Sequence, residues 1–365
     1  MTTKMTLPKW FDAHTHLRQD ALLSPIIKSQ IDMGCYAILA MPNTRPVVGS
    51  IEPSNEYWSL DDYQSMISDA DGDNLDHVFT PLYLHEGVTP SMIESGAQSG
   101  VLKSAKCYPP HGTTNASMGY PIESLMKNGV IQAMVDNNVI LNIHGEEHGL
   151  KATSYFDRDT NAEEMFYQER MPKLVAEFPN LKIVCEHITT KIATDFVLQC
   201  NDNVSASITP QHLLYTVGDL ILGLKYHLFC LPVVKFNADR QALLDAVSTP
   251  SQTKFFAGTD SAAHTTKCTE CGCAAGCFTG GIAPQLYAQA FEDAGMDLSR
   301  VDHELMFKNF LCFNGPDFYG IERSTDTFTL EKSPQDVTTI PTDGGDITPL
   351  PVGLGHNTIP WSIKL

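Results

Sequence analysis

Positive charge is scarce in this chain. Its 365 residues hold 24 lysines and arginines against 43 aspartates and glutamates, a formal net charge of −19. A surface that acidic repels the phosphate backbone, which argues against a nucleic-acid partner. No apolar run reaches the ~18 residues a membrane-spanning helix needs, so no membrane span is expected. The opening residues "MTTKMTLPKW" lack the apolar segment of a secretory signal. No Gly-rich dinucleotide fingerprint follows the first apolar run, so an open doubly wound sheet is only the second choice of architecture. No internal repeat or long linker is evident. Cysteine is present, at 10 residues, mostly inside apolar runs such as "GCYAIL", "KIVCEH" and "HLFCLP". Such thiols read as buried and reduced, not as a disulfide framework, and the expected compartment is the cytoplasm.

What is present is alternation. With 42% hydrophobic residues the chain can fill one large core. Eight short apolar runs read as buried strands: "KWFDAHTH", "CYAILAMPNT", "HVFTPLYLHE", "VLKSAKCYP", "VILNIHGEE", "LKIVCEHITT", "NVSASITPQH" and "KFFAGTDSAAH". Segments with helical spacing lie between most of them, at 24–34, 89–100, 121–138 and 162–178. Eight such strands alternating with helices predict an α/β fold, a (β/α)₈ TIM barrel. "HLFCLPVVK" (227–235) is a ninth apolar run, placed as an excursion after the seventh strand. After about residue 315 the chain turns polar and rich in Thr, Pro and Gly. The expected organisation is one domain over 1–365, with a barrel over about 8–315 and a small irregular and β extension over 316–365 wrapping it.

The polar residues fall where a barrel places its chemistry. The first strand ends in His14, His16 and Arg18, the second in Asn43 and the fourth in Lys106. The fifth ends in His144, the sixth in His187, and the eighth in Asp260 with His264 beyond. C-terminal strand ends share one mouth in a barrel, so residues about 250 apart would converge. A lone His-x-His is more often two satisfied surface histidines than a ligand pair. On a strand, though, both rings point to one face and can chelate a divalent metal. With His144, His187 and Asp260 added, the set exceeds what one tetrahedral zinc needs and suggests two metals. Lys106 alone would read as an exposed cation. Among metal ligands its ammonium would be repelled, whereas a neutral amine could take up carbon dioxide as a carbamate and bridge two metals.

The set "DAHTHLR", "MPNT", "SAKCYPPHGTTN", "NIHGE", "EHITT", "TPQHLL", "CLPVVK", "GTDSAAH" and "CGCAAG" resembles the shorter, homodimeric dihydroorotases of the amidohydrolase superfamily. The motifs run in order from about residue 10 to 320. The resemblance implies reversible cyclisation of N-carbamoyl-L-aspartate to L-dihydroorotate in pyrimidine biosynthesis, with small-molecule substrates and a homodimeric assembly. It implies a two-zinc centre: His14, His16 and Asp260 at one zinc, His144 and His187 at the other, and carboxylated Lys106 bridging them with a hydroxide. Asp260 would be the general acid and base. Arg18, Asn43 and His264 would hold the substrate carboxylate. Thr113 and Thr114 would form the tip of a mobile loop, and Leu231 would contact the ring through its backbone. A further backbone contact falls at Ala274 or Ala275, since "CGCAAG" carries one more alanine than the pattern expects. Ala263 stands where the family often has proline, and His111 matches no family ligand and is expected in solvent.

Two other functions draw on the same residues. A hydantoinase or allantoinase would share the metal ligands but lack the carboxylate clamp. A silent barrel used as a scaffold would have lost ligands. The cluster Cys268, Cys271, Cys273 and Cys277 could be a structural zinc site, but it reads better as a cysteine-rich loop near the mouth, with no second Cys/His pair at finger spacing.

Overall fold

The computed structural model of the chain describes residues 3–270 and 272–365. The eight apolar runs form eight strands. They are β1 (Trp10–His16), β2 (Cys35–Ala40), β3 in two pieces (His77–Phe79 and Leu82–Tyr83), β4 (Ser104–Cys107), β5 (Ile140–His144), β6 (Ile183–Glu186), β7 (Val204–Ile208) and β8 (Phe255–Ala257). Each pairs in parallel with its neighbours in sequence order. A short strand after β8, Ser261–Ala262, pairs in parallel with Thr15 and His16 and returns the ring to β1. The fold is a (β/α)₈ barrel.

The breaks in the ring have local causes. β3 divides at Thr80–Pro81, because proline has no N–H to give the ladder. β8 divides at Gly258–Asp260. A Cβ on Gly258 would lie 2.8 Å from the Ser207 Cβ, so only glycine lets these two backbones approach. Asp260 follows in the left-handed region at φ 47°, which turns its side chain into the mouth.

Inside the barrel, Phe11, Ala13, Leu39, Ile140, Val184 and Phe256 form an apolar floor with Tyr319. Strict alternation from Phe11 and Ala13 would aim His14 outward. A register shift against β2 between Asp12 and Thr15 supplies the odd step, and both histidines face inward.

Several expectations are corrected in detail. The segment 121–138 is two helices, Ile122–Lys127 and Val130–Asp136, separated by Gly129 at φ 84°. The segment 162–178 also divides, into Ala162–Glu169 and Met171–Glu177, with Pro172 in the first turn of the second. The polar C-terminal stretch is not free of helix: Asn314–Tyr319 and Leu350–Gly353 are helical. Its strand Thr327–Glu331 pairs antiparallel with Lys4–Pro8 and with Ser362–Lys364 on the outside of the barrel. The run 227–235 makes no strand. It packs Leu228, Cys230 and Val234 against Leu350, Leu354 and Cys277. The described cysteines are all free, and most are buried. Among the described residues no helix is long and apolar enough to cross a membrane.

Trp10 anchors the outside of β1. It is fully buried, donates from Nε1 to the Met33 carbonyl at 2.8 Å, and meets Tyr287 edge-on at 6.4 Å. Trp10→Ala should cost about 3–5 kcal/mol in chemical denaturation. A loss under about 1 kcal/mol would mean that this contact does not hold the strand.

Candidate metal centre

Residues separated by up to 246 positions meet in the barrel mouth. His14 and His16 sit on β1, Lys106 on β4 and His144 at the end of β5, with His187 just after β6 and Asp260 just after β8. All six are buried. His14 Nε2 and His16 Nε2 are 3.4 Å apart. Asp260 Oδ1 lies 3.3 Å from the first and 2.9 Å from the second. The His187 ring centroid is 5.0 Å from that of His14 and 4.7 Å from that of His144. The Lys106 ammonium stands 4.8 Å over the Tyr108 ring and contacts the Glu186 carboxylate.

Burial sets the charge states. It lowers His14, with Lys106 adding to the effect, and it takes His16 down to about 4 despite Asp260. His187 falls well below the usual imidazole range through burial and the neighbouring His144 and Lys106. Burial alone would raise Asp260, but its bonds to His14 and His16 prevail and hold it well below the carboxylate range. Burial pushes Lys106 down to about 7, and the Asp260 charge opposes that. Neutral imidazoles and one ionised carboxylate therefore gather in a small buried space.

That donor set fits a divalent cation. Ligand atoms of His14, His16 and Asp260 lie within 4.8 Å of one another, as do those of His14, Glu186 and His187. His187 Nδ1 is buried without a hydrogen-bond partner, so it has capacity left for a ligand. Nitrogen and carboxylate donors of this kind suit zinc.

Behind these residues lies a layer that the strand-end pattern did not reveal. Glu186 Oε1 is 3.0 Å from His14 Nδ1. Glu146 Oε2 is 2.7 Å from His144 Nε2, leaving Nδ1 of that ring free. Asp12 accepts from Thr259 at both the amide (2.9 Å) and the hydroxyl (2.6 Å), which ties β1 to the turn carrying Asp260. Each is a carboxylate inside or just after an apolar strand. That is the available signal, since a buried charge requires a partner.

The residues expected at the substrate surround the same opening. Arg18 donates from Nε to the Ala263 carbonyl at 3.0 Å, and its Nη2 is 3.1 Å from His264 Nε2. His264 Nε2 is also 2.7 Å from the Ala275 carbonyl. Asn43 links His16 to the loop: its Oδ1 is 2.9 Å from His16 Nδ1, and its Nδ2 donates to the Thr114 carbonyl at 2.9 Å. Thr114 Oγ1 reaches the Ala275 carbonyl at 3.5 Å, so the loop tip lies across the mouth. Thr113, Leu231 and Ala275 line the pocket above His16 and Asp260. Ala274 is turned away, with its amide and carbonyl both engaged by Lys267, so of the two alanines Ala275 faces the pocket. His111 is exposed.

Cys268 and Cys273 pair across a small hairpin, while Cys277 is buried with Cys230 in an apolar cluster. Cys271 lies outside the described residues. Among the described residues no cluster able to hold a metal contains a cysteine.

No protein-family model matches the chain. Among curated proteins it is 38% identical over 371 residues to a dihydroorotase of Shewanella amazonensis, covering 99% of both chains. Among solved structures, dihydroorotase from Saccharomyces cerevisiae in complex with 5-fluoroorotic acid superposes with a TM-score of 0.84 at 26% identity, over 99% of this chain and 98% of that one. Dihydroorotase from Campylobacter jejuni superposes with a TM-score of 0.83 at 28% identity, over 100% and 98%.

Burial, with Arg18 adding to it, takes His264 down to about 3. The group binds a proton in the unfolded chain below its ordinary pKa of about 6.5 but not in the folded one. Relative to His264→Gln, the stripped wild-type protein should therefore lose stability as pH falls from about 6.5 to about 3 and show no trend above. Urea denaturation across that range reads the difference. A flat difference would mean that His264 is not held neutral.

Proposed function

The chain belongs to the dihydroorotase family, and from that premise we propose that it interconverts N-carbamoyl-L-aspartate and L-dihydroorotate by closing and hydrolysing a cyclic amide. The observation that carries this reading is the meeting, in one mouth, of a buried histidine–carboxylate cluster with the Arg18–His264 pair. The first suits a metal-assisted amide reaction, and the second suits a substrate carboxylate. The 5-fluoroorotic acid held by the Saccharomyces cerevisiae relative is an acid of the same kind.

His14, His16 and Asp260 would hold one zinc ion, and His144 and His187 a second. Lys106 would join them as a carbamate: its neutral amine adds to carbon dioxide, an N–C bond forms, and one proton leaves. When bound, such a pair of cations lowers the pKa of water toward neutrality and polarises the amide carbonyl. The chain's own residues do the rest. Asp260 is ionised and can take a proton as water adds, then return it to the departing ring nitrogen. In the biosynthetic direction the same carboxylate takes the proton from the attacking nitrogen. Arg18 can clamp the substrate carboxylate with two N–H groups, while neutral His264 and the Asn43 amide add donors. Thr113 and Thr114 cover the opening and exclude water. The Leu231 and Ala275 backbones orient the ring. The buried, free thiols agree with a cytoplasmic enzyme, and the proposed assembly is a homodimer.

Zinc-loaded protein should hydrolyse dihydroorotate at alkaline pH, seen as loss of ultraviolet absorbance, and should leave uncharged hydantoin untouched. Absence of turnover with the metals loaded, or equal turnover of hydantoin, would overturn the assignment. Arg18→Met should raise KM by roughly 30–150-fold, the equivalent of about 2–3 kcal/mol for lost bonds to a charged group. An unchanged KM would remove Arg18 from the clamp. Lys106→Ala should lose nearly all activity, with part restored by acetate or propionate. No restoration at high concentrations of either acid would count against the carbamate.

A further inference from the structure

We infer that Glu186 is a positioning residue of the metal centre, fixing the His14 ring and the Lys106 nitrogen from the side away from the mouth. This rests on the metal ligands proposed above and goes beyond them, because Glu186 ends β6, one residue before His187, and stands one layer back.

Neighbouring residues on a strand point to opposite faces. Here Glu186 and His187 serve one site, because the chain turns between them. His187 adopts φ 41°, and its amide donates to the Ser207 hydroxyl at 2.9 Å. Glu186 is 1% exposed. Three nitrogens surround its carboxylate: His14 Nδ1 at 3.0 Å, Asn142 Nδ2 at 3.0 Å, and Lys106 Nζ in contact. Asn142 also donates to the Tyr319 hydroxyl at 2.6 Å, and Tyr319 packs edge-on against Phe11 at 5.2 Å. The carboxylate is thereby moored to the barrel floor.

The consequence for His14 is a choice of tautomer. Its ring lies between two carboxylates, Glu186 at Nδ1 and Asp260 at Nε2. A neutral imidazole carries one proton. Glu186 draws that proton to Nδ1 and leaves the Nε2 lone pair facing His16 and Asp260, where a cation would sit. Without Glu186 the acceptors beside the ring, Asp260 and His16, lie at Nε2, and a proton there would close that lone pair. Ligating histidines are generally held this way through their second nitrogen. Lys106 gains as well. A carbamate nitrogen keeps one hydrogen, and Glu186 is placed to accept it, so the carbamate oxygens turn away from Glu186.

Glu186→Gln keeps the shape but can offer an N–H to His14 Nδ1. Three readings on stripped protein separate the possibilities: zinc affinity by competition with a chromophoric chelator, the visible absorption of the cobalt(II) form, and the melting temperature without metal. The expected result is two cations bound, one of them about 10–100-fold more weakly, with an altered cobalt spectrum. Wild-type zinc affinity and spectrum, with only the melting temperature lowered, would leave a structural ion pair and overturn the inference. Loss of one cation at every concentration would also overturn it, since Glu186 would then be a ligand itself. If the variant fails to fold, Asn142→Leu frees the outer side of Glu186 and should weaken zinc by about 3–10-fold, on the scale of an outer-layer contact. Unchanged affinity there overturns the inference as well. Zinc binding involves no substrate, so failure to turn over dihydroorotate with these metal results intact would fault only the proposed function.

Discussion

Burial of ionisable groups without solvent is the constraint on which the mouth of this barrel depends. His14, His16, Lys106, His144, Glu186, His187 and Asp260 all lie in the buried interior. Each alone would be better solvated in water, and several kcal/mol stands against each charge left unpaired. The closed ring of parallel strands leaves them nowhere else to go. Their mutual arrangement follows from that. Histidines are driven neutral, one carboxylate is held ionised between two rings, and the lysine loses much of its hold on a proton. Electron pairs gathered in a dry space form a site whose natural complement is a cation.

Regular barrel geometry does not aim these side chains unaided. The site relies on local departures: a register shift in β1, a glycine that lets β7 and β8 approach, and a proline that breaks β3. Three non-glycine residues of the mouth, Arg18 (φ 62°), His187 (φ 41°) and Asp260 (φ 47°), hold left-handed backbone. Each such residue carries a cost on the order of 1–2 kcal/mol. At these three positions the strained backbone aims side chains that the mouth uses.

The barrel and the polar residues gathered at its mouth were legible because both rest on short-range pattern. Eight β-rich runs end in polar residues, and parallel topology brings like ends together. Less was legible where the cause is tertiary. The division of 121–138 at Gly129 and the bend of β1 between Asp12 and Thr15 leave no clear periodic mark. Glu186 lies inside the apolar run "LKIVCEHITT", and alternation places it opposite His187 until the backbone turn after it is known. Glu146 and Asp12 stand two residues from His144 and His14, on the same face by alternation, so pattern alone does not set them apart as a layer behind. The choice between Ala274 and Ala275 depends on Lys267, whose ammonium binds the Phe229, Ala274 and Gly276 carbonyls and so sets the path of that loop.

The substrate side depends on the metal side through Asn43, which touches both His16 and the Thr114 loop. Both therefore stand or fall on whether the buried cluster takes up two cations. Direct titration of stripped protein with zinc, followed by calorimetry and by the protons released, tests this. The account predicts two zinc ions per chain, with protons released as carbon dioxide is taken up at Lys106. Saturation at one ion or none, in bicarbonate and at neutral pH, would contradict it.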